Sequence, residues 1–144
     1  MPIAENITVR QADWSQDATT LRKLREAVFI IEQQVPVALE WDGMDAQCLH
    51  VLAQIDGVPA GTGRLLPDGH IGRMAVLREF RGRGVGSAML LQLVELARAA
   101  GMRLLILNAQ THATAFYQRY GFAAEGETFL EAGISHVRMT RSLD

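Results

Sequence analysis

One cysteine, Cys48, stands in this 144-residue chain, which excludes an intramolecular disulfide framework and any metal site built from several thiolates. The four histidines, His50, His70, His112 and His136, are dispersed without metal-ligand spacing, so no metal is expected. No apolar run approaches membrane-spanning length, and no charged segment followed by an apolar stretch opens the chain. The expectation is a cytoplasmic protein with no membrane partner. Asn6-Ile7-Thr8 matches a glycosylation acceptor, but without a secretion signal the match carries no weight. A net charge of −2 argues against non-specific nucleic-acid binding. There is no repeat, linker or low-complexity segment, and 49% hydrophobic with 21% charged residues is the balance of one globular domain over residues 1–144.

The order of elements follows from periodicity and turn residues. Residues 7–11 alternate as a strand, and Asp13, Ser15 and Asp17 offer helix caps. From about residue 18, Leu21, Leu24, Val28 and Ile31 fall on one helical stripe that Pro36 limits. Residues 50–55 and 60–66 read as antiparallel strands around the tight turn Asp56-Gly57. The turn Pro67-Asp68-Gly69 leads into a third strand over residues 71–76. A long helix carrying Val85, Met89, Leu93, Leu96 and Ala100 follows and is capped by Gly101. The apolar run at residues 104–107 predicts a strand covered on both faces. A short helix spans about residues 111–120, and Val137 and Met139 alternate in a final strand. Together these make an α/β domain on a mixed sheet: a meander, then a crossover helix into a parallel strand.

Between the third strand and the long helix lies Arg81-Gly82-Arg83-Gly84-Val85-Gly86. A strand, a glycine-rich turn and a helix N-terminus make an anion cradle, because unpaired amides and the helix dipole both attract negative charge. Glycine allows close approach of a phosphate. No lysine stands near the turn, so it is not a P-loop, and Ser87 stands where the dinucleotide fingerprint needs glycine.

The spacing that fits is Arg81-x-x-Gly84-x-Gly86, preceded by Val76 and Leu77-Arg78-Glu79-Phe80. It resembles the acetyl-coenzyme A signature of the GNAT superfamily of N-acetyltransferases. Phe116-Tyr117-x-x-Tyr120-Gly121-Phe122 is similar to that family's closing motif. Residues 28–36, with Glu40, Asp42, Asp45 and His50, resemble the small bacterial ElaA-like branch. The resemblance implies a single-domain GNAT-like fold, with a parallel strand pair around the cofactor and helices on both faces. It implies acetyl-CoA as co-substrate, with backbone groups of Met74, Ala75 and Val76 holding the pantetheine arm. An N–H near Met74 would polarise the acetyl carbonyl. Amides of Arg81, Gly82, Arg83, Gly84, Val85, Gly86 and Ser87 would take the pyrophosphate, Arg78 or Arg83 the ribose phosphate, and Asn108 a further polar contact.

Acyl transfer from a thioester to an amine needs a deprotonated amine, a stabilised carbonyl oxygen and a tolerated thiolate. Tyr117, by family position, is the candidate acid for the thiolate; the competing reading packs it with Ala113, Phe116 and Tyr120 on one apolar face. Glu40 and Asp42, with Asp45, either bind or deprotonate a cationic amine or form a solvated acidic loop. Glu32 is a weaker candidate base. Cys48 has no activating partner, so direct attack in a ternary complex is preferred to an acetyl-cysteine. The expected enzyme acetylates a small-molecule or peptide amine, as a monomer or homodimer. The alternatives are a coenzyme A-binding sensor with little turnover and a nucleotide-binding domain of another type.

Overall fold

The computed structural model describes residues 6–143. Seven strands form two antiparallel sheets. The first runs β1 (Ile7–Ala12), β2 (Leu49–Ile55), β3 (Val58–Leu65), β4 (Ile71–Val76) in spatial order. The second has β5 (Leu104–Gln110) beside β7 (Ile134–Ser142), with β6 (Ala123–Glu131) outside. Asp56 and Gly57, both at positive φ, make the β2–β3 hairpin turn.

The parallel pair expected around the cofactor is a single bridge between His70 and Ile106, where Ile106 N–H donates to the Gly69 carbonyl at 3.0 Å. Beyond it β4 and β5 share no ladder. Gly69 sits at φ +97°, and a β-carbon there would lie 2.4 Å from the Leu104 carbonyl oxygen. Only glycine lets the two chains meet this closely.

Helices cover both faces of the first sheet. The helix α3 (Val85–Ala99) buries Val85, Met89, Leu90, Leu93, Val94 and Ala97 in the main core, together with Val51, Ala53 and Ile55 of β2. Helix α1 (Trp14–Arg25) packs Leu21 and Leu24 against Leu52, the β2 residue of opposite parity. Asp13 caps α1, its carboxylate accepting from Ser15 N–H at 2.9 Å.

Four expectations need correction. The helical stripe predicted through Ile31 fails at its last member, which is 68% exposed. Residues Glu26–Glu32 wind as a π-helix, and the wider i→i+5 turn carries Ile31 off the buried face. The strand at residues 104–107 is covered mainly on one face: Leu105 and Leu107 are buried, while Leu104 is 46% exposed. The helix at 111–120 is a 3-10 turn, Thr111–Ala113, followed by the short α4 (Thr114–Gln118). Finally, β6 carries no burial alternation, being exposed along its whole length as an edge strand, and so gave no periodic signal.

Candidate active site

The splay of β4 from β5 opens a cleft of about 820 Å³. Its walls come from β4, β5, α4, the π-turn and the β6–β7 hairpin. Among the residues predicted from sequence, Met74, Val76, Arg81, Gly86, Asn108, Tyr117 and Glu40 line it, whereas Asp42 does not.

A bulge shapes the β4 wall. Thr62 pairs with Ala75 and Arg64 with Gly72, so Arg73 and Met74 together face Gly63. Two residues against one break the ladder and leave backbone groups of the bulged strand without cross-strand partners. Arg73 takes φ 50°, which a residue with a β-carbon seldom adopts. A β-carbon on Gly63 would lie 3.1 Å from Leu93 and 3.2 Å from Met74, so that glycine leaves room for both side chains.

At the start of α3 the glycine loop is open. Gly82 and Gly84 have φ of +76° and +89°, with no atom within 4 Å of where a β-carbon would stand. No side chain caps the first turn of α3, so its amides remain aimed outward. Val85 is buried and anchors the loop in the core. Gly86 lies against the Phe116 ring, whose nearest atom would be 3.6 Å from a β-carbon. Ala75 is buried and offers only backbone.

The arginines of this loop are not idle. Arg81 forms a two-pronged pair with Glu32, each contact 2.6 Å, and its Nε donates to the Val76 carbonyl at 2.9 Å. That hydrogen bonding by Arg81 holds the Glu32 carboxyl below its usual range. One of the strand-end carbonyls expected to meet the pantetheine is therefore already engaged. Arg78 reaches Glu32 at 3.5 Å, and Arg83 lies 5.7 Å over the Phe80 ring.

Tyr117 is half-buried, with its hydroxyl 3.8 Å from the Met74 sulfur and its ring edge-on to Phe116. Burial pushes its phenol up to about 12. Gln110 Nε2 donates to Gln33 Oε1 at 3.1 Å and so ties β5 to the turn after the π-helix.

The acidic group does not form a solvated loop. Arg25 donates through Nε to Glu40 at 2.7 Å and through Nη1 to Asp45 at 2.6 Å. Arg64 donates to Asp45 at 3.0 Å and binds Asp42 through both terminal nitrogens. Arg73 adds contacts of 3.4 Å to Glu40 and Asp42 and donates to the carbonyls of Leu39 and Glu40. Trp41 lies 4.8 Å from the Arg25 guanidinium. Arg25, Glu40, Asp45 and Arg64 are all buried. Hydrogen bonding to Arg64 holds Asp42 far below the ordinary carboxylate range. Nothing local in the sequence marks this frame, because its members are scattered from residue 25 to residue 73.

His50 is buried, 2.8 Å from the Asp45 carbonyl and stacked on Trp14, the structural part expected of it. Cys48 is half-buried beside the Met44 carbonyl, and burial raises its thiol above the ordinary value. Among the described residues no His, Cys, Asp and Glu cluster is placed to hold a metal, and no helix is long and apolar enough to cross a membrane.

The acetyltransferase (GNAT) domain family matches residues 12–143 of the chain. The chain belongs to the GNAT acetyltransferase family. It is therefore an acyltransferase of the class expected from the glycine loop. An uncharacterized N-acetyltransferase of Bacillus subtilis, YjcF, is 37% identical over 122 residues, covering 82% of this chain and 87% of that protein. An acyl-CoA N-acyltransferase from Pseudomonas aeruginosa has a similar structure, with TM-score 0.82, 33% identity and coverage of 95% and 99%. Escherichia coli ElaA matches with TM-score 0.84 and 28% identity over 94% of this GNAT chain and 99% of its own. That likeness agrees with the branch that the front half of the sequence resembles.

Proposed function

We propose that the protein is an N-acetyltransferase that moves acetyl from acetyl-CoA to a primary amine by direct attack in a ternary complex. The observation that carries this reading is one shared cleft. The open glycine loop at the α3 start, the bulged edge of β4 and the Tyr117 hydroxyl all converge on the gap where β4 leaves β5. Uncapped amides and two glycines without neighbouring atoms fit a pyrophosphate, since nothing has to move to admit it.

Acetyl-CoA supplies the activated acyl group as a thioester. Amides of residues 81–87 hold its phosphates, the edge of residues 74–76 holds the arm, and Asn108 faces the arm from β5. Tyr117 serves the departing sulfur. A phenol near 12 stays protonated at neutral pH but is a much weaker acid than a thiol of about 8.5. Tyr117 therefore stabilises the thiolate by donating a hydrogen bond rather than by surrendering its proton.

Glu40 and Asp42 take a role other than base in this reading. Glu40 Oε2 faces two guanidinium groups, and Asp42 has little affinity for a proton at neutral pH. They fix the arginine frame behind the acceptor side of the cleft. The acceptor is a small-molecule or peptide amine, and the working assembly is a cytoplasmic monomer or homodimer.

Calorimetry with acetyl-CoA, with ATP and NAD as controls, tests the cradle. Saturable binding of acetyl-CoA alone, followed by amine-dependent thiol release and an amide product by mass spectrometry, is the expected result. Well-folded protein that binds no coenzyme A would sink the proposal.

A further inference from the structure

Most titratable groups lining the cleft are committed elsewhere: Glu32 to Arg81, and Glu40, Arg64 and Arg73 to the buried frame. His70 lies against Asp68 at 2.9 Å, with much of its ring in solvent, and His112 is exposed beside Gln110. His136 is different. It lines the cleft from β7, and its side chain is only 9% exposed. Nδ1 stands 2.7 Å from the Ile134 carbonyl oxygen. A carbonyl has no proton to give, so Nδ1 carries one, and the lone pair of the neutral ring is left on Nε2.

The surroundings of Nε2 suit a group that gains a proton. Glu131 Oε2 on β6 lies 3.6 Å away, also in the cleft wall. Phe129, the register partner of His136, stacks on the ring at 6.0 Å and 21°. When Nε2 is protonated, both nitrogens face oxygen acceptors and the ring need not turn. Other charged and titratable groups on the surrounding elements are Arg138 on β7, held near Glu125 at 3.8 Å, and His112, His70 and Arg73 on the cleft walls. His136 pairs in register with Gln110, at the end of β5 from which the chain runs into the Tyr117 helix.

We infer that His136 is the general base for the acceptor amine and that Glu131 positions it and shares the charge of the imidazolium. This deepens the acetyl-transfer reading and rests on it. The ammonium gives one proton to Nε2, and the freed lone pair forms a C–N bond to the thioester carbonyl carbon. The C–S bond then breaks. The surplus proton on nitrogen passes to the leaving sulfur, giving an N-acetyl amine, a free thiol and one proton on His136 for release to water.

The test uses the full chain with phenethylamine as acceptor, over pH 6 to 10, comparing wild type with His136→Gln and Glu131→Gln. His136→Gln is expected to lower kcat/KM at pH 7.5 by about a hundredfold to ten-thousandfold. Its acetyl-CoA affinity should stay within about twofold by calorimetry, and its deficit should shrink towards pH 10, where an alkyl amine of pKa about 10.4 is largely neutral. Glu131→Gln should lose less. Full activity of His136→Gln at pH 7.5, or a deficit of equal size at every pH, would overturn the assignment, the latter showing a structural role. An arm independent of turnover is nitrogen NMR of the wild-type imidazole: the neutral ring must carry its proton on Nδ1, and the Nε2–H tautomer would overturn the proposal. Loss of acetyl-CoA binding by the wild type would instead remove the parent reading.

Discussion

The two walls of the cleft are built by opposite means. The phosphate end is made of backbone: glycines at positive φ, an uncapped helix start and a bulged strand edge. The acceptor end is made of side chains, with Arg25, Arg64 and Arg73 laced to Glu40, Asp42 and Asp45. A backbone cradle needs few particular side chains and suits a ligand group common to every turnover. A buried ionic frame costs several kcal/mol of desolvation per ion, repaid only by good geometry. What it confers is a fixed floor beneath the place where substrates differ. The binding of the shared ligand is thus robust to side-chain change, while the acceptor wall tolerates little.

The contrast can be broken first at the cradle. Gly84→Glu places a β-carbon at φ +89°, at a strain of about 1–2 kcal/mol, and a carboxylate where phosphate belongs. Acetyl-CoA binding should vanish from calorimetry while the protein still unfolds cooperatively; retained affinity would remove the cradle. On the other wall, Arg25→Met leaves Glu40 and Asp45 without their guanidinium. Breaking a buried pair this way costs about 3–5 kcal/mol, or roughly 10 °C in Tm for a chain of this size. A Tm within 2 °C or so of the wild type would show that the frame is dispensable.

Tyr117→Phe should leave acetyl-CoA affinity intact and lower kcat by about tenfold to a thousandfold, as read by thiol release. An unchanged rate, with chemistry shown to limit turnover, would return Tyr117 to packing. The frame also has a pH signature. Asp42 has a depressed pKa when folded, so below about pH 5 the unfolded chain, with its ordinary carboxylate near 3.9, binds more protons. Its contribution is full at neutral pH and is lost as pH falls through the carboxylate range. Urea midpoints from pH 7 to pH 3 should fall less steeply for Asp42→Asn than for the wild type. The smallest effect belongs to the pair that joins the walls. Glu32→Gln removes a largely solvent-facing bridge to Arg81 and should cost less than about 1 kcal/mol of stability. A few-fold change in acetyl-CoA affinity is expected, because Arg81 is then freer to leave the Val76 carbonyl.

What was legible in the sequence divides along the same line. The cradle could be read because glycines, a preceding strand and an amphipathic helix are local signals within some thirty residues. The Asp56-Gly57 hairpin and the Gly101 helix end were readable for the same reason, both taking positive φ. The ionic frame could not be read so, since each member looks like any surface charge until the chain folds. Glu40 and Asp42 were singled out for carrying carboxylates near the acceptor region, yet their chemistry is set by arginines distant in sequence. β6 escaped because an edge strand exposed along its length has no buried face to impose alternation. His136 sat in a strand correctly expected, but only the hairpin shows its ring pinned between Ile134 and Phe129.

The π-turn before Gln33 has a consequence for how this enzyme tolerates length change. An i→i+5 turn holds a surplus residue relative to an α-helix of equal rise. Removing any one residue between Glu26 and Glu32 would let the segment relax to 3.6 residues per turn, with about 100° of rotation for whatever follows. Glu32 would swing out of reach of Arg81, and Gln33 out of reach of Gln110. Both braces across the cleft are thus encoded by a residue count rather than a residue type, so a one-codon deletion there would do what no single substitution can: release both at once.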